Sequence, residues 1–376
     1  MRLGIVGGGQ IAQMMIQAAI SLGIEVDVLA SPSDTPAPRY VARSTIANAF
    51  DASNLQQFID HCDFVTFDHE VIKADILRSL DGYQEKVFPT PHTLELSSRK
   101  ATCRRLMVEI GLPTPKFEIA TNNKELADAI ETIGLPAIVK SSFGGYDGRG
   151  VFEVLNEDDL IQLKSTLPSE FEVVVEEFID VDKELSIIVV REKSGELYSY
   201  PLLETLQEQQ MCSEVYYPVQ VAATVEARAK EIAEAAAQAV ESVGVLAVEM
   251  FLSKDGNIIV NELAPRPHNS GHLTIEAMVT SQFENHIRAV CSLPIGSVEP
   301  LFESATMANL IGVDGELDQE IGRREVLKFD RVHLHLYGKL NRNRRKIGHI
   351  TVVGDGSKNT TEIARQARDC FFVATS

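Results

Sequence analysis

The chain is short of positive charge and has no long apolar run. Lysine and arginine number 35 against 54 aspartates and glutamates, so the formal net charge is -19. Such an acidic body repels nucleic acid and anionic membranes, which argues against binding either. No apolar stretch approaches the roughly 18 residues that span a bilayer. The N-terminus leads straight into a predicted strand, unlike a signal peptide, and we expect a cytoplasmic protein.

Cysteine is scarce too. The five cysteines are far apart and odd in number, and no two form a CxxC pair. This pattern predicts the reduced thiols of a cytoplasmic protein and argues against a zinc site. They are Cys62, Cys103, Cys212, Cys291 and Cys370.

The remaining composition is that of a globular protein. Of the 376 residues, 44% are hydrophobic and 24% are charged. A chain of this size and apolar content can bury a large core. At about 150 residues per domain, its length predicts two or three domains.

Strands and helices alternate at the start of the chain. Strands are predicted at 2–6, 24–29 and 63–67, and helices over 10–22 and 54–59. This alternation predicts a parallel sheet with helices on its faces, and the segment Phe88-Pro89-Thr90-Pro91 ends it.

The pattern then becomes α+β. A basic helix is predicted from Ser98, its cap, to about Ile110, where Gly111 stops it. Several closely spaced strands are predicted between residues 183 and 217, and an Asp255-Gly256-Asn257 turn predicts a hairpin. Further helices are predicted near 122–133, 156–167, 225–242 and 360–371, and further strands at 136–140, 170–179, 333–338 and 347–353.

A glycine turn, Gly7-Gly8-Gly9, follows the first predicted strand and opens a helix. The backbone N–H groups of such a turn face an anion. A nicotinamide dinucleotide site requires an acid about 20 residues further on, at the end of the second strand. The sequence there is VLAS, residues 28–31, without an acid. Phosphate binding and a purely structural turn are equal alternatives, and both are favoured over NAD binding.

A glycine-rich loop, SFGGYDGRG, occupies residues 142–150, two residues after Lys140. Glycines let a backbone close over phosphates without Cβ clashes. Lys140 would reach the same phosphates as a point charge. We therefore favour phosphate binding over a flexible hairpin loop.

Two acids, Glu249 and Glu262, lie inside otherwise apolar predicted strands, and Asn261 precedes the second. Two carboxylates about 4 Å apart repel by about 4 kcal/mol at an effective dielectric constant of about 20. A shared cation removes this cost, and carboxylate and amide oxygens suit Mg²⁺ better than zinc. The alternative, two edge-strand acids facing water, leaves the polar run that follows them unexplained.

That polar run is APRPHNSGH, residues 264–272. It combines an arginine, two histidines, an asparagine and a serine. A helix cap would account for Asn269 or Ser270 but not for all five. The run therefore predicts a polar binding loop beside the metal site.

A basic segment, KLNRNRRK, spans residues 339–346. Most charge runs are solvated faces, but in an acidic chain this one favours anion binding. Two weaker signals stand at strand ends. Glu176-Glu177-Phe178-Ile179 is typical of an adenine hinge, and Asp68-His69-Glu70 lies where open α/β sheets bind ligands.

Together these motifs resemble the ATP-grasp superfamily and, within it, the 5-(carboxyamino)imidazole ribonucleotide synthases, which are ATP-dependent carboxylases of purine biosynthesis. The resemblance rests on residues 7–10, 144–150, 261–272, 309–312 and 345–349, and it runs from residue 1 to about 355. It implies an α/β and α+β ATP-grasp fold. The implied domains are a Rossmann-like domain (1–97), a central lid domain (98–178) and a C-terminal ATP-grasp domain (179–376) with a β-rich tail from about 305.

The resemblance also implies an ATP site between the central and C-terminal regions, with Mg²⁺ held by Glu249 and Glu262. The phosphates would lie under a lid at 145–151. The implied ATP-binding residues are Lys100, Lys140, Gly145, Tyr146, Asp147, Gly148, Arg149, Gly150, Glu176, Glu177, Ile179, Glu184, Asn261 and Glu262.

The other implied substrates are bicarbonate and 5-aminoimidazole ribonucleotide. ATP would phosphorylate bicarbonate to carboxyphosphate, which the exocyclic amine then attacks. Arg266, His268 and Glu70 would be catalytic: Arg266 would stabilise developing carboxylate charge, and His268 would either shuttle a proton or orient the ligand. The implied ribonucleotide-binding residues are Gly9, Gln10, Glu70, Arg266, His268, Asn269, Ser270, Lys339, Arg345 and Lys346. The family is typically dimeric.

Two positions depart from the family pattern: Gln13, where an arginine is frequent, and Glu204–Gln207, where a histidine is common. They bear on ribonucleotide or nucleotide contacts and leave the metal and lid motifs intact. Two alternatives stay open, another ATP-grasp carboxylate–amine ligase and a non-catalytic ATP-binding relative. The latter would be expected to have lost Lys140, Glu249 or Glu262, and all three are present.

Overall fold

The first hundred residues form a parallel α/β unit. The computed structural model describes residues 1–31, 36–144 and 150–373. The unit contains β1 (Arg2–Val6), α1 (Gln10–Ser21), β2 (Glu25–Ala30), β3 (Arg43–Ile46), α2 (Ala52–Asp60), β4 (Phe64–Phe67), α3 (Ala74–Arg78) and α4 (Pro91–Ser98). The four strands are parallel, in the order β3-β2-β1-β4. This confirms the predicted sheet and adds β3, whose residues are all exposed at its edge.

A second sheet is antiparallel. Its region contains α5 (Lys100–Glu109), β5 (Phe117–Ala120), α6 (Asn123–Ile133), β6 (Ala137–Ser141), β7 (Val151–Val154), α7 (Glu157–Thr166) and β8 (Val173–Glu177). The strand order is β5-β8-β6-β7. Alternate apolar residues of β8 pack with one side of α6, which buries Leu126, Ala129 and Ile130.

The predicted single basic helix from Ser98 to Ile110 is wrong at its start. Arg99 is extended and separates α4 from α5, so Ser98 ends one helix instead of capping the next. The loop after β6 caps α5 from outside the helix. The carbonyl of Ser142 accepts from the Lys100 N–H at 2.8 Å, and Ser142 Oγ accepts from the Ala101 N–H at 3.2 Å. These bonds satisfy helix N–H groups that lack partners within the helix.

The rest of the chain builds a nine-stranded antiparallel sheet with flanking helices. Its elements are β9 (Val181–Arg191), β10 (Leu197–Ser199), β11 (Leu203–Glu208), β12 (Met211–Tyr217), α8 (Ala223–Ala239), β13 (Gly244–Ser253), β14 (Ile258–Ala264), α9 (Thr274–Ala277), α10 (Gln282–Val290), β15 (Ser304–Ile311), α11 (Gln319–Val326), β16 (Val332–Leu336), β17 (Lys346–Gly354) and α12 (Ser357–Val373). The order is β14-β13-β9-β11-β12-β15-β17-β16, and β10 pairs with β9.

The predicted hairpin, the alanine-rich helix and the tail strands are all present in this sheet and its cover. By contrast, α10, β15 and α11 have no counterpart among the predicted elements. The strand β15 reads SATMANLI and is buried along almost its whole length. Because it is covered on both faces, it lacks the alternation of apolar and polar residues that identifies a half-buried strand. The division at residues 97 and 178 stays a prediction.

Helix α10 connects the first sheet to the large sheet. Its Phe283 and Ile287 pack in one core with Leu3 and Ile5 of β1. Beside them, His286 Nδ1 accepts from the Val245 N–H at 3.0 Å, so Nε2 carries the hydrogen and donates to Thr66 Oγ1 at 2.7 Å. Burial lowers the pKa of His286 to about 3, which keeps this ring neutral. His286 thereby links Thr66 of β4 to Val245 of β13.

No helix in the described ranges is both long and apolar enough to cross a bilayer.

Candidate active site

Two lysines contact neighbouring residues of β14, Asn261 and Glu262. Lys100 Nζ donates to Glu262 Oε1 at 2.6 Å, and Lys140 Nζ donates to Asn261 Oδ1 at 2.9 Å. Lys100 is the first residue of α5, and Lys140 lies near the end of β6. The structure therefore brings both predicted phosphate-binding lysines onto two residues of the predicted ATP and metal site.

Glu176 forms a buried ion triad with two cations. Arg104 Nε donates to Glu176 Oε1 at 2.7 Å, and Lys140 Nζ donates to Oε2 at 2.8 Å. Burial alone would raise the pKa of Glu176, but the charges of Arg104 and Lys140 lower it to about 2. The same burial lowers the pKa of Lys140, against the attraction of Glu176. The ionised Glu176 carboxylate therefore holds the Lys140 ammonium group by an ion pair.

Arg104 has no counterpart among the residues predicted for the site. Its Nη2 also donates to the Asn261 carbonyl at 2.7 Å, so it ties α5 to both β8 and β14. Its side chain is only 2% exposed, and a fully buried arginine requires anionic or carbonyl partners. Its place in a basic helix gave a sequence signal, but nothing in the sequence indicated which of that helix's cations is buried.

The predicted carboxylate pair faces across two strands. Glu249 of β13 is directly opposite Glu262 of β14 in the antiparallel register. Burial raises the pKa of Glu249 to about 8, and repulsion from Glu262 and Glu184 adds to this effect. Glu262 is neutralised by Lys100, whereas His268 Nε2 lies 3.5 Å from Glu249 Oε1.

The polar loop after β14 forms a short 3₁₀ turn, Asn269–Gly271. His268 caps this turn, because its Nδ1 accepts from the Ser270 N–H at 3.3 Å, so neither Asn269 nor Ser270 is the cap. Ser270 Oγ lies 2.9 Å from His268 Nδ1 and 2.8 Å from Ser186 Oγ of β9. The turn therefore orients the His268 ring towards Glu249.

Arg266 and Glu70 form a two-bond ion pair between the loop and the first sheet. Arg266 Nη2 donates to Glu70 Oε1 at 3.0 Å, and Arg266 Nε donates to Glu70 Oε2. Burial opposes the ionisation of Glu70, but the charge and hydrogen bonds of Arg266 lower its pKa to about 2. Two residues predicted to contact the ribonucleotide are thus brought together and contact each other.

The glycine turn is occupied by a carboxylate of the chain itself. The Gly9 N–H donates to Asp68 Oδ2 at 2.6 Å. Gly7 has a φ of +109°, and a Cβ there would lie 1.6 Å from Asp68 Oδ1. The sequence indicates Asp68 only as part of the Asp68-His69-Glu70 segment. Its signal was its position after β4, next to the turn in the sheet.

The cations of the basic segment 339–346 interact with different parts of the molecule. Lys339 Nζ donates to Gln10 Oε1 at 2.5 Å, and the charge of Lys346 reaches Glu249 and favours its ionised form. Arg344 instead donates to the Gln209 carbonyl at 3.0 Å, away from these groups. The carbonyl of Arg345 accepts from the Gly312 N–H at 2.8 Å, which ties the segment to the end of β15.

The predicted adenine hinge lies at the end of β8. Glu177 Oε1 accepts from the Lys116 N–H at 2.8 Å, and Ile179 is half-buried. Glu184 of β9 is also partly buried, which raises its pKa, and it is hydrogen-bonded to Gln207. Gln207 ends the Glu204–Gln207 segment, near which the resemblance predicts a histidine. The predicted lid residues Gly145, Tyr146, Asp147, Gly148 and Arg149 lie outside the described residues.

Models of three protein families match successive parts of the chain. Residues 1–98 match a ribonucleotide synthetase preATP-grasp domain, 105–283 an ATP-grasp domain, and 305–363 a phosphoribosylaminoimidazole carboxylase C-terminal domain. An N5-carboxyaminoimidazole ribonucleotide synthase of Aquifex aeolicus is 34% identical over 360 residues, covering 96% of this chain and 94% of the relative. The chain belongs to the N5-carboxyaminoimidazole ribonucleotide synthase family.

Solved structures of this family have the same fold. That of Thermotoga maritima superposes with a TM-score of 0.86 at 37% identity and covers 98% of both chains. That of Aspergillus clavatus, in complex with ADP and 5-aminoimidazole ribonucleotide, has a TM-score of 0.90 at 31% identity and also covers 98% of both. Gln13 stands at a position where the resemblance predicts an arginine. It is buried in this chain, and its Nε2 donates to the Leu336 carbonyl at 3.3 Å.

Proposed function

We propose that the chain carboxylates the exocyclic amine of 5-aminoimidazole ribonucleotide, using ATP and bicarbonate. The products are 5-(carboxyamino)imidazole ribonucleotide, ADP and phosphate, within de novo purine biosynthesis. One observation carries the proposal. Lys100 and Lys140 lie on Glu262 and Asn261, while the His268–Ser270 turn reaches the same carboxylate pair. The two lysines and the polar loop therefore meet at the same carboxylate pair.

The residues present fit Mg²⁺. Glu249 and Glu262 offer hard carboxylate oxygens from facing strands, and Asn261 lies beside them. Among the described residues, no three His, Cys, Asp or Glu side chains form a metal-binding group. A cation here would complete its shell with water and phosphate oxygens, which is the usual binding mode of Mg²⁺. When bound, Mg²⁺ neutralises phosphate charge during phosphoryl transfer.

The lysines serve the nucleotide in this proposal. Lys100 and Lys140 exchange their carboxylate and amide partners for phosphate oxygens. Glu176, which is itself paired with Arg104, holds Lys140 in place through a buried ion pair. Glu177, Ile179 and Glu184 would border the adenosine at the strand end.

The chemistry balances over two steps. An oxygen of bicarbonate attacks the γ-phosphorus of ATP, the bond to ADP breaks, and carboxyphosphate forms. The ribonucleotide amine then attacks the carboxyl carbon of carboxyphosphate, or CO₂ released from it, and phosphate and a proton leave. Arg266 stabilises the carboxylate charge, and Glu70 holds the guanidinium in position. In this proposal His268, whose ring the 269–271 turn orients, either shuttles the amine proton or orients the amine.

The ribonucleotide would lie between the 268–270 turn and the first sheet. Its phosphate has three candidate cations, Lys339, Arg345 and Lys346. The glycine turn contributes Gln10, which already contacts Lys339. Gly9 is a weaker candidate, because its N–H is bonded to Asp68. A homodimer and a cytoplasmic location are further parts of the proposal.

The decisive experiment is ADP release from ATP, Mg²⁺ and bicarbonate, with and without 5-aminoimidazole ribonucleotide. We expect strong stimulation by the ribonucleotide and carboxylated product in equal amount. Glu262→Gln should abolish ADP release, and Glu118→Gln, an exposed acid of β5, is the matched control. Release that ignores the ribonucleotide would indicate another acceptor. ATP binding without release would indicate a non-catalytic relative.

A further inference from the structure

The Asn-Leu-Ile-Gly motif of β15 contains a buried asparagine that the proposed chemistry does not use. Asn309 is only 2% exposed. Its Nδ2 donates to Asn269 Oδ1 at 2.7 Å, and Asn269 Nδ2 donates back to Asn309 Oδ1 at 3.1 Å. The two carboxamides therefore bond to each other reciprocally.

A backbone carbonyl fixes which way both carboxamides face. Asn309 Nδ2 also donates to the carbonyl of Cys212, in β12, at 2.9 Å. A carbonyl oxygen only accepts, so the Asn309 side chain must direct its NH₂ group, and not its oxygen, at Cys212. Once Asn309 is fixed, only one orientation of Asn269 makes both reciprocal bonds. Asn269 spends one N–H and one oxygen lone pair on this pairing and retains its second N–H.

We propose that Asn309 is a positioning residue that locks the carboxamide of Asn269, so that Asn269 presents an N–H donor to the ribonucleotide. This inference rests on the proposed function, in which Asn269 contacts that substrate. The acceptor on the ligand is an oxygen or an unprotonated ring nitrogen. Without Asn309, the carboxamide of Asn269 would rotate between donor and acceptor orientations.

The rest of the turn does not depend on Asn309. Gln282 of α10 accepts from the His268 N–H at 2.9 Å and donates to the His268 carbonyl at 2.6 Å. Ser186 holds Ser270 from β9. Both Gln282 and Ser186 are fully buried. Removing Asn309 should therefore free one carboxamide and leave the backbone of the turn in place.

The test compares Asn309→Ala with Asn285→Ala by calorimetric binding of 5-aminoimidazole ribonucleotide and of ATP with Mg²⁺. Asn285 is a matched control, because it too is a buried carboxamide with three bonds, to Tyr200 and Gly296. It does not contact the turn. We expect Asn309→Ala to weaken ribonucleotide binding about tenfold, the equivalent of one hydrogen bond, and to change ATP affinity less than about twofold. Asn285→Ala should lower the melting temperature and change neither affinity.

A double variant separates positioning from stability. In an Asn269→Ala background, Asn309→Ala should have no further effect on ribonucleotide affinity, since no carboxamide is left to orient. If Asn309→Ala fails to fold, Asn309→Asp replaces it. That isosteric change opposes oxygen to the Cys212 carbonyl and should weaken ribonucleotide binding at least as much.

Additive effects in the double variant, or equal ribonucleotide affinity of the Asn309→Ala and Asn285→Ala chains, would overturn the positioning role alone. An unaltered chain that binds ATP but not the ribonucleotide would overturn the proposed function together with it.

Discussion

Glu249 of β13 and Glu262 of β14 face each other across the two strands, and each lies beside a different basic side chain. Lys100 forms an ion pair with Glu262, whereas a nitrogen of His268 lies 3.5 Å from Glu249. Glu262 is therefore in direct contact with a cation. Burial and repulsion from Glu262 and Glu184 raise the pKa of Glu249 to about 8, against the charges of Lys100 and Lys346.

We predict that binding of ATP with Mg²⁺ releases a proton at neutral pH. Below a pKa of about 8 Glu249 is protonated in the ligand-free chain, and a cation requires its carboxylate. Calorimetry at pH 7 in two buffers of different ionisation enthalpy should report release of about one proton per site. Glu249→Gln should report none, and equal heats in both buffers for the unaltered chain would contradict the assignment.

The raised pKa of Glu249 should also make the free energy of unfolding depend on pH. Its pKa in the folded chain is raised from 4.5 to about 8, so the folded state holds a proton that the unfolded state loses between those values. The free energy of unfolding should therefore fall as pH rises through this window. Glu249→Gln should flatten that part of the curve, which urea unfolding at a series of pH values measures. A slope unchanged by Glu249→Gln would refute the raised pKa.

We predict that Arg104→Met destabilises the fold strongly. It leaves Glu176 buried with one cation instead of two and removes a bond to the Asn261 carbonyl. Breaking a buried ion pair costs about 3–5 kcal/mol. Arg99→Met is the control, since its pair with Glu172 is half-exposed and contributes less than about 1 kcal/mol. Denaturant unfolding of both variants gives the comparison, and equal losses would mean that Arg104 contributes no more than a surface arginine.

Sequence patterns reached the carboxylate pair because both acids interrupt apolar strands, and the hairpin turn between them sets their register. The sequence could not predict the hydrogen bonds of Asn309 and Ser186. The residues next to a polar side chain in a central strand do not show which distant groups it contacts. Arg104 shows the same limit, since partners 72 and 157 residues away decide which arginine of a basic helix is buried. The break at Arg99 was missed because the cap of α5 comes from Ser142, a tertiary contact.

We predict that Gly244→Ala weakens the contact between the parallel sheet (β1–β4) and the nine-stranded antiparallel sheet. Gly244 has a φ of +96°, and a Cβ there would lie 2.7 Å from His286 Nδ1, the atom that accepts from Val245. Gly256 has a similar φ of +87°, with nothing within 4 Å. Both alanines incur backbone strain of roughly 1–2 kcal/mol. Gly244→Ala should cost more by the lost His286 bond, and equal thermal shifts in the two variants would exclude a role for that contact.

The last prediction concerns Asp68 in the glycine turn. A Cβ on Gly7 would lie 1.6 Å from Asp68 Oδ1, so Gly7→Ala must expel the carboxylate and break its bond to the Gly9 N–H. Gly23→Ala is the control, with a φ of +67° and open space around its Cβ. Because Gln10 follows this turn and contacts Lys339, we expect Gly7→Ala to weaken ribonucleotide binding at least about tenfold, beyond the strain that both variants share. Calorimetric titration with the ribonucleotide measures this, and ATP affinity should be unchanged. If Gly7→Ala binds the ribonucleotide as tightly as Gly23→Ala, Asp68 only closes the turn and takes no part in shaping the substrate site.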